Sequence, residues 1–108
     1  MAQFEPYKDP AHDNRWTMDV DRNDRHIYLW DVTKFCIDSS TAVDSFELVT
    51  EGVEVLEQGV PQGEYNALLT ARLQVTFGSV AEPYATARFL TEDGQQTDKT
   101  FWFKEVVN

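Results

Sequence analysis

Apolar residues recur at every second position through most of this chain, a period that places them on one face of an extended strand. Residues 71–77 carry the cleanest run: Leu73, Val75 and Phe77 fall on one side, Arg72, Gln74 and Thr76 on the other. Residues 84–90 repeat it with Ala85, Ala87 and Phe89 on a shared face. In residues 43–49, Phe46 and Leu48 oppose Glu47, and Val53 and Val55 then alternate with Glu54 ahead of Glu57. Nearer the start, Trp16-Thr17-Met18-Asp19-Val20 predicts a half-buried first strand. Residues 65–70 read as the approach to the strand at 71–77.

Turn chemistry separates these runs. Asp38-Ser39-Ser40-Thr41 forms a polar turn, Gly52 and Gly59 supply bends, and residues 59–63 form a loop because Pro61 lacks a ladder donor. Asp93-Gly94 between two alternating runs predicts a tight hairpin, since both residue types tolerate positive φ. Its second strand covers residues 100–106, with Phe101 and Phe103 inward and Trp102 on the opposite side. One segment leaves two readings open. After the charged break at residues 21–25, residues 26–35 fit either another strand or a short helix carrying Ile27, Trp30 and Phe35.

Short strands with turns at roughly ten-residue spacing, and no helical run long enough to cover a sheet, predict an all-β antiparallel sandwich. The small Ala85 and Ala87 facing the large Phe101 and Phe103 would let its two layers interdigitate. Residues 1–14 carry Pro6 and Pro10 without a clear period and read as an extended N-terminal arm, leaving residues 15–108 as a single domain. A chain of 108 residues has room for one core, and its 42% hydrophobic content is that of a folded protein.

Charge narrows the partners. Nineteen acidic residues against nine basic ones leave a formal net charge of -10. A field of that sign repels phosphate, so neither nucleic acid nor an anionic membrane surface is expected as a partner. The start of the chain lacks the basic and apolar regions of a signal peptide, and no apolar run approaches the ~20 residues that span a bilayer, so a soluble protein made in the cytoplasm is expected.

Candidate chemistry is sparse. Cys36 is the only cysteine, which excludes an internal disulfide and a cysteine-based zinc site and reads as a small buried apolar residue. Asp9, Asp13, Asp19, Asp21 and Asp24 cluster in sequence, but without the order of a calcium loop and with Arg22 and Arg25 close by; they read as a solvated or salt-bridged face. His12 and His26 are not spaced to share a helical turn, so a metal site between them is a weak reading. No catalytic, metal-binding or cofactor-binding residues are expected, and the chain reads as a binding or structural protein, not an enzyme. The aromatics say more. Three Trp and four Tyr exceed what a core of this size requires, and Trp102, alternating out of the core stripe, is a candidate interface anchor.

Two segments carry a family resemblance. Lys8-Asp9-Pro10 leading to Trp16-Thr17-Met18-Asp19-Val20, taken with the ending Thr91-Glu92-Asp93-Gly94-Gln95-Gln96-Thr97-Asp98-Lys99-Thr100-Phe101-Trp102-Phe103, resembles a family of small tailed-phage structural proteins. Residues 38–56, with Gly52-Val53-Glu54-Val55, resemble the family's middle strands. Residues 21–37 look inserted, and the loop at residues 78–83 is shortened. The resemblance implies an immunoglobulin-like β-sandwich and a place in the virion. A capsid decoration or cement protein is expected, binding between major capsid subunits at the capsid surface after synthesis in the host cytoplasm, with self-association on the virion as a further contact. Phe4 and Tyr7 of the arm would clasp a neighbour and Trp102 would anchor the domain. A head-tail connector or tail protein of the same fold, and an acidic inhibitor or adaptor that occupies a basic groove, are the alternative readings.

Overall fold

The computed structural model describes residues 6–12, 15–21, 24–78 and 80–106. The segment read as an arm contributes a short strand, β1 (Tyr7–Asp9); the alternating runs become β2 (Arg15–Val20), β4 (Val43–Glu51), β5 (Val53–Gln58), β6 (Leu68–Val75), β7 (Tyr84–Thr91) and β8 (Gln96–Glu105), and the segment left open supplies β3 (Arg25–Asp31) and a short helix, α1 (Thr33–Ser39). They form a five-stranded sheet in the order β1-β2-β8-β7-β4 and a three-stranded sheet in the order β3-β6-β5.

The two sheets pack face to face through aromatic rings. Trp30 of β3 stacks on Phe101 of β8 with centroids 5.2 Å apart, and Tyr28 meets Phe103 edge-on at 5.3 Å. Ala85 and Ala87 on β7 and Ala71 on β6 are buried among these large side chains. Interleaving small and large residues fills the interlayer space without voids, and each fully buried aromatic or aliphatic side chain is worth about 1.5–3 kcal/mol of transfer free energy.

Residues 26–35 use both of the open readings in succession. Tyr28 and Trp30 are buried while Ile27 and Leu29 are exposed, as a two-residue period requires, so Ile27 does not share a face with Trp30. Val32 N–H donates to the Ala67 carbonyl at 2.9 Å, extending the β3–β6 ladder by one step. The Asp31 carboxylate then accepts from the backbone N–H of Thr33, the first residue of α1, at 3.0 Å. Ser40, at φ 53° and ψ 46°, ends it. The helix delivers Phe35 edge-on to Phe89 and buries Cys36 completely; burial pushes the Cys36 thiol pKa up.

Three details depart from the sequence expectation. First, β2 runs parallel to β8, with Thr17 opposite Trp102. These strands come from opposite ends of the domain, so no hairpin dictates their relative direction. Second, Tyr65 and Asn66 take left-handed φ values of 61° and 52°, so the chain coils through a 3-10 turn and β6 starts only at Leu68. Third, the β7–β8 hairpin closes through three residues instead of two. Gly94 N–H donates to the Thr91 carbonyl, Thr91 N–H donates to the Gln95 carbonyl, and of the Asp-Gly pair Gly94 alone has positive φ. A two-residue turn would oppose Ala85, an inward position, to the outward Trp102; the third residue sets Ala85 opposite Phe101.

Gly52 is the corner at which the chain leaves one sheet for the other. It has φ +70°, and a Cβ there would lie 2.4 Å from Val80 Cγ2 and 3.1 Å from Pro83 Cβ. Gly52→Ala is therefore expected to destabilise the protein by at least about 1–2 kcal/mol, and Phe89→Ala by about 3–5 kcal/mol. The exposed Glu64→Ala serves as a near-neutral control in urea unfolding. A Gly52→Ala protein as stable as wild type would contradict the corner.

Candidate partner-binding face

The outer face of the five-stranded sheet gathers two of the three residues singled out in the sequence. Strand register aligns Tyr7 with Thr17, Thr17 with Trp102 and Trp102 with Tyr84, a row that crosses β1, β2, β8 and β7. Registered partners share a face, so three aromatic side chains line one side over about 14 Å, three inter-strand steps. Phe4 lies outside the described residues.

Trp102 is half-buried on this face, held by its neighbours. The Arg15 guanidinium sits 4.0 Å over its ring, and the Tyr84 ring packs at 5.0 Å with a 53° tilt. Arg15 Nη2 donates to Glu82 Oε1 at 2.8 Å, which anchors the guanidinium to the loop after β6. A cation–π contact of this kind contributes about 0.5–2 kcal/mol. The indole is thus held in one orientation before any partner arrives, which lowers the ordering cost of binding.

Beside the row, Asp9, Arg15, Glu82, Trp102, Lys104 and Glu105 line an open cleft of about 580 Å³. Its charged groups of both signs suit polar recognition at the rim of an aromatic anchor. Elsewhere on the same face, Arg88 Nε and Nη2 donate to the two oxygens of Asp98 at 2.9 and 3.1 Å, and this holds the Asp98 carboxyl below the ordinary carboxylate range. The Thr86 and Thr100 hydroxyls hydrogen-bond across the strands at 2.7 Å.

The acidic cluster of the sequence is divided among local duties. Asp9 accepts from the Ala11 backbone N–H at 3.0 Å, Asp19 accepts from the Tyr7 hydroxyl at 2.7 Å, and Asp24 lies 3.4 Å from the His26 ring. Arg25 bonds Gln74, not a neighbouring aspartate; Asp13 and Arg22 lie outside the described residues. Among the described residues, no three His, Cys, Asp or Glu side chains come together as a metal site would need, and no helix is long and apolar enough to cross a membrane.

Arg15 and Tyr84 belong to this face and were not singled out from the sequence. A signal for Tyr84 was present: inward positions are odd-numbered on both β7 and β8, so the hairpin loop must hold an odd number of residues, and three residues put Tyr84 opposite Trp102. Arg15 carries no such signal, because its place beside Trp102 follows from the long-range β2–β8 pairing.

The Tyr7–Asp19 hydrogen bond fastens β1 to the sheet and pushes the Tyr7 pKa up to about 12, through that bond first, then burial and the charges of Asp19 and Asp9. The neutral phenol is the form the fold favours, so this stabilisation is complete below the unfolded value of about 10 and is lost as pH rises through about 12. In a tyrosinate absorbance titration, the component that Tyr7→Phe removes should centre near pH 12 in wild type and fall toward 10 in Asp19→Ala. No movement in Asp19→Ala would assign the shift elsewhere. Comparison with known protein families, with curated proteins and with solved structures finds no match to this chain.

Proposed function

We propose that this protein is a structural component of a tailed-phage virion, a capsid decoration or cement protein of immunoglobulin-like fold that seats between major capsid subunits and reinforces the shell. The observation that supports this reading is the joint placement of Tyr7, Trp102 and Tyr84 on one outer sheet face, with Arg15 fixing the indole. Pre-oriented aromatic side chains at the centre of a patch, rimmed by polar groups, are the usual source of binding energy between proteins. The edge strand β1 contributes Tyr7, so the N-terminal segment and the sheet act as one surface. The acidic groups away from the patch face solvent and keep the particle surface hydrated.

The test is cosedimentation of the purified protein with phage heads assembled without it, at low and high salt. Saturable binding that survives high salt and makes the heads more heat-resistant is the expected result. Trp102→Ala should weaken it by about 2 kcal/mol, some thirtyfold. A protein that stays in the supernatant defeats the shell assignment. Binding to a basic protein that collapses with added salt would favour the acidic adaptor instead.

A further inference from the structure

Among the described residues the two sheets have four edges, and three of them are blunted. β1 is only three residues long. β4 carries a bulge between Val43 and Ser45 and presents Asp44, Glu47 and Glu51. β5 carries a bulge between Val55 and Glu57 and presents Glu54 and Glu57. Short edges, bulges and charges of one sign are devices that stop a strand from pairing with another chain. The edge at β3 has none of them. Its seven residues run in unbroken register along β6, and among the described residues β6 is the only strand it pairs with.

The hydrogen-bond phase identifies the groups on that edge. Val32 N–H donates to the Ala67 carbonyl, which makes Val32–Ala67 a hydrogen-bonded pair. Antiparallel ladders alternate such pairs, so His26, Tyr28 and Trp30 bond to β6, while the N–H and C=O groups of Arg25, Ile27, Leu29 and Asp31 point away from it. The opposite side of β6 agrees with this phase, since Gly59 N–H donates to Thr70 and Gln62 and Leu68 exchange both bonds. Ile27 and Leu29 are also 60% and 46% exposed, on the solvent face of the sheet.

The sequence of the edge, Arg25-His26-Ile27-Tyr28-Leu29-Trp30-Asp31, complements its own reverse. We propose that β3 is a homodimer interface, in which it pairs antiparallel with β3 of a second copy about a two-fold axis at Tyr28. In that register all seven residues are matched. Ile27 lies opposite Leu29 of the second copy, burying the exposed apolar pair on one face, and Arg25 lies opposite Asp31 at both ends. Every outward-pointing backbone group of the four edge residues then finds a partner, and the two three-stranded sheets join into one of six strands. A two-fold axis makes such an interface self-complementary and closed, so it ends at the dimer and does not grow into a fibre. This assignment stands apart from the virion reading and from the opposite sheet face that supports it.

The test follows the full-length protein by sedimentation velocity over a concentration series, with hydrogen exchange alongside. A concentration-dependent dimer is expected, with the amides of Ile27 and Leu29 gaining protection as it forms. Ile27→Lys should abolish it, and because that side chain is exposed the monomer should keep its circular dichroism and unfolding midpoint. Arg25→Asp alone and Asp31→Arg alone each set like charges opposite one another at both ends and should weaken the homodimer about tenfold. Mixing those two variants pairs opposite charges again and should restore dimers containing one copy of each. Monomers up to about 1 mM wild-type protein, the weak end of specific association, would overturn the proposal. So would a dimer indifferent to Ile27→Lys, or a mixture no tighter than its parts.

Discussion

Everything else in this protein depends on the aromatic contact between its two layers. Trp30 on Phe101, Tyr28 on Phe103 and Phe35 on Phe89 are long-range pairs that join the three-stranded sheet and α1 to the five-stranded sheet. Each buries large ring surfaces and adds roughly 0.5–1.5 kcal/mol beyond the area it covers. The alanines at 71, 85 and 87 are buried in the same core, where a bulkier side chain would overpack. The pairs also fix the layers in register, because rings at 5 Å spacing do not slide past one another without losing contact.

The outer surface inherits its geometry from that core. With Phe101 and Phe103 held inward, Trp102 must face out, and the β7–β8 ladder then brings Tyr84 to its side. The parallel docking of β2 adds Arg15 over the indole, and β1 adds Tyr7 through its bond to Asp19. The candidate binding face is therefore the reverse side of the strands that build the core. A substitution that loosens Phe101 would be felt at Trp102, although the two side chains lie on opposite sides of the sheet.

The opposite surface has a different logic. There the sheet is narrow, with two edges and one central strand, and the edges are treated unequally. Bulging and carboxylates guard β5, whereas β3 keeps an unbroken ladder phase, an apolar pair and opposite charges at its ends. If the proposed aromatic face and the proposed β3 pairing both operate, the domain would have two separate means of attachment, the arrangement a protein needs to join neighbours on an assembly.

The strands were legible in the sequence wherever one face meets the core and the other meets water, because burial then imposes a two-residue period that no other structure shares. That holds for the runs around Met18, Phe46, Leu73, Ala87 and Phe103, for the outward turn of Trp102, and for the burial of Cys36. It failed at residues 26–35, where apolar side chains occupy both faces and the period disappears: Ile27 and Leu29 face solvent, and the alternation that would have marked a strand is masked. What only the tertiary structure decided is non-local. The parallel entry of β2 beside β8, the arrival of Arg15 over Trp102 and the change of sheet at Gly52 all depend on which distant segments share the core. Local period and turn chemistry report how each residue meets water and which neighbours in sequence form a hairpin, as at β7–β8; they carry no information on which distant strand lies alongside, since that is set by contacts made once the whole chain has closed on itself.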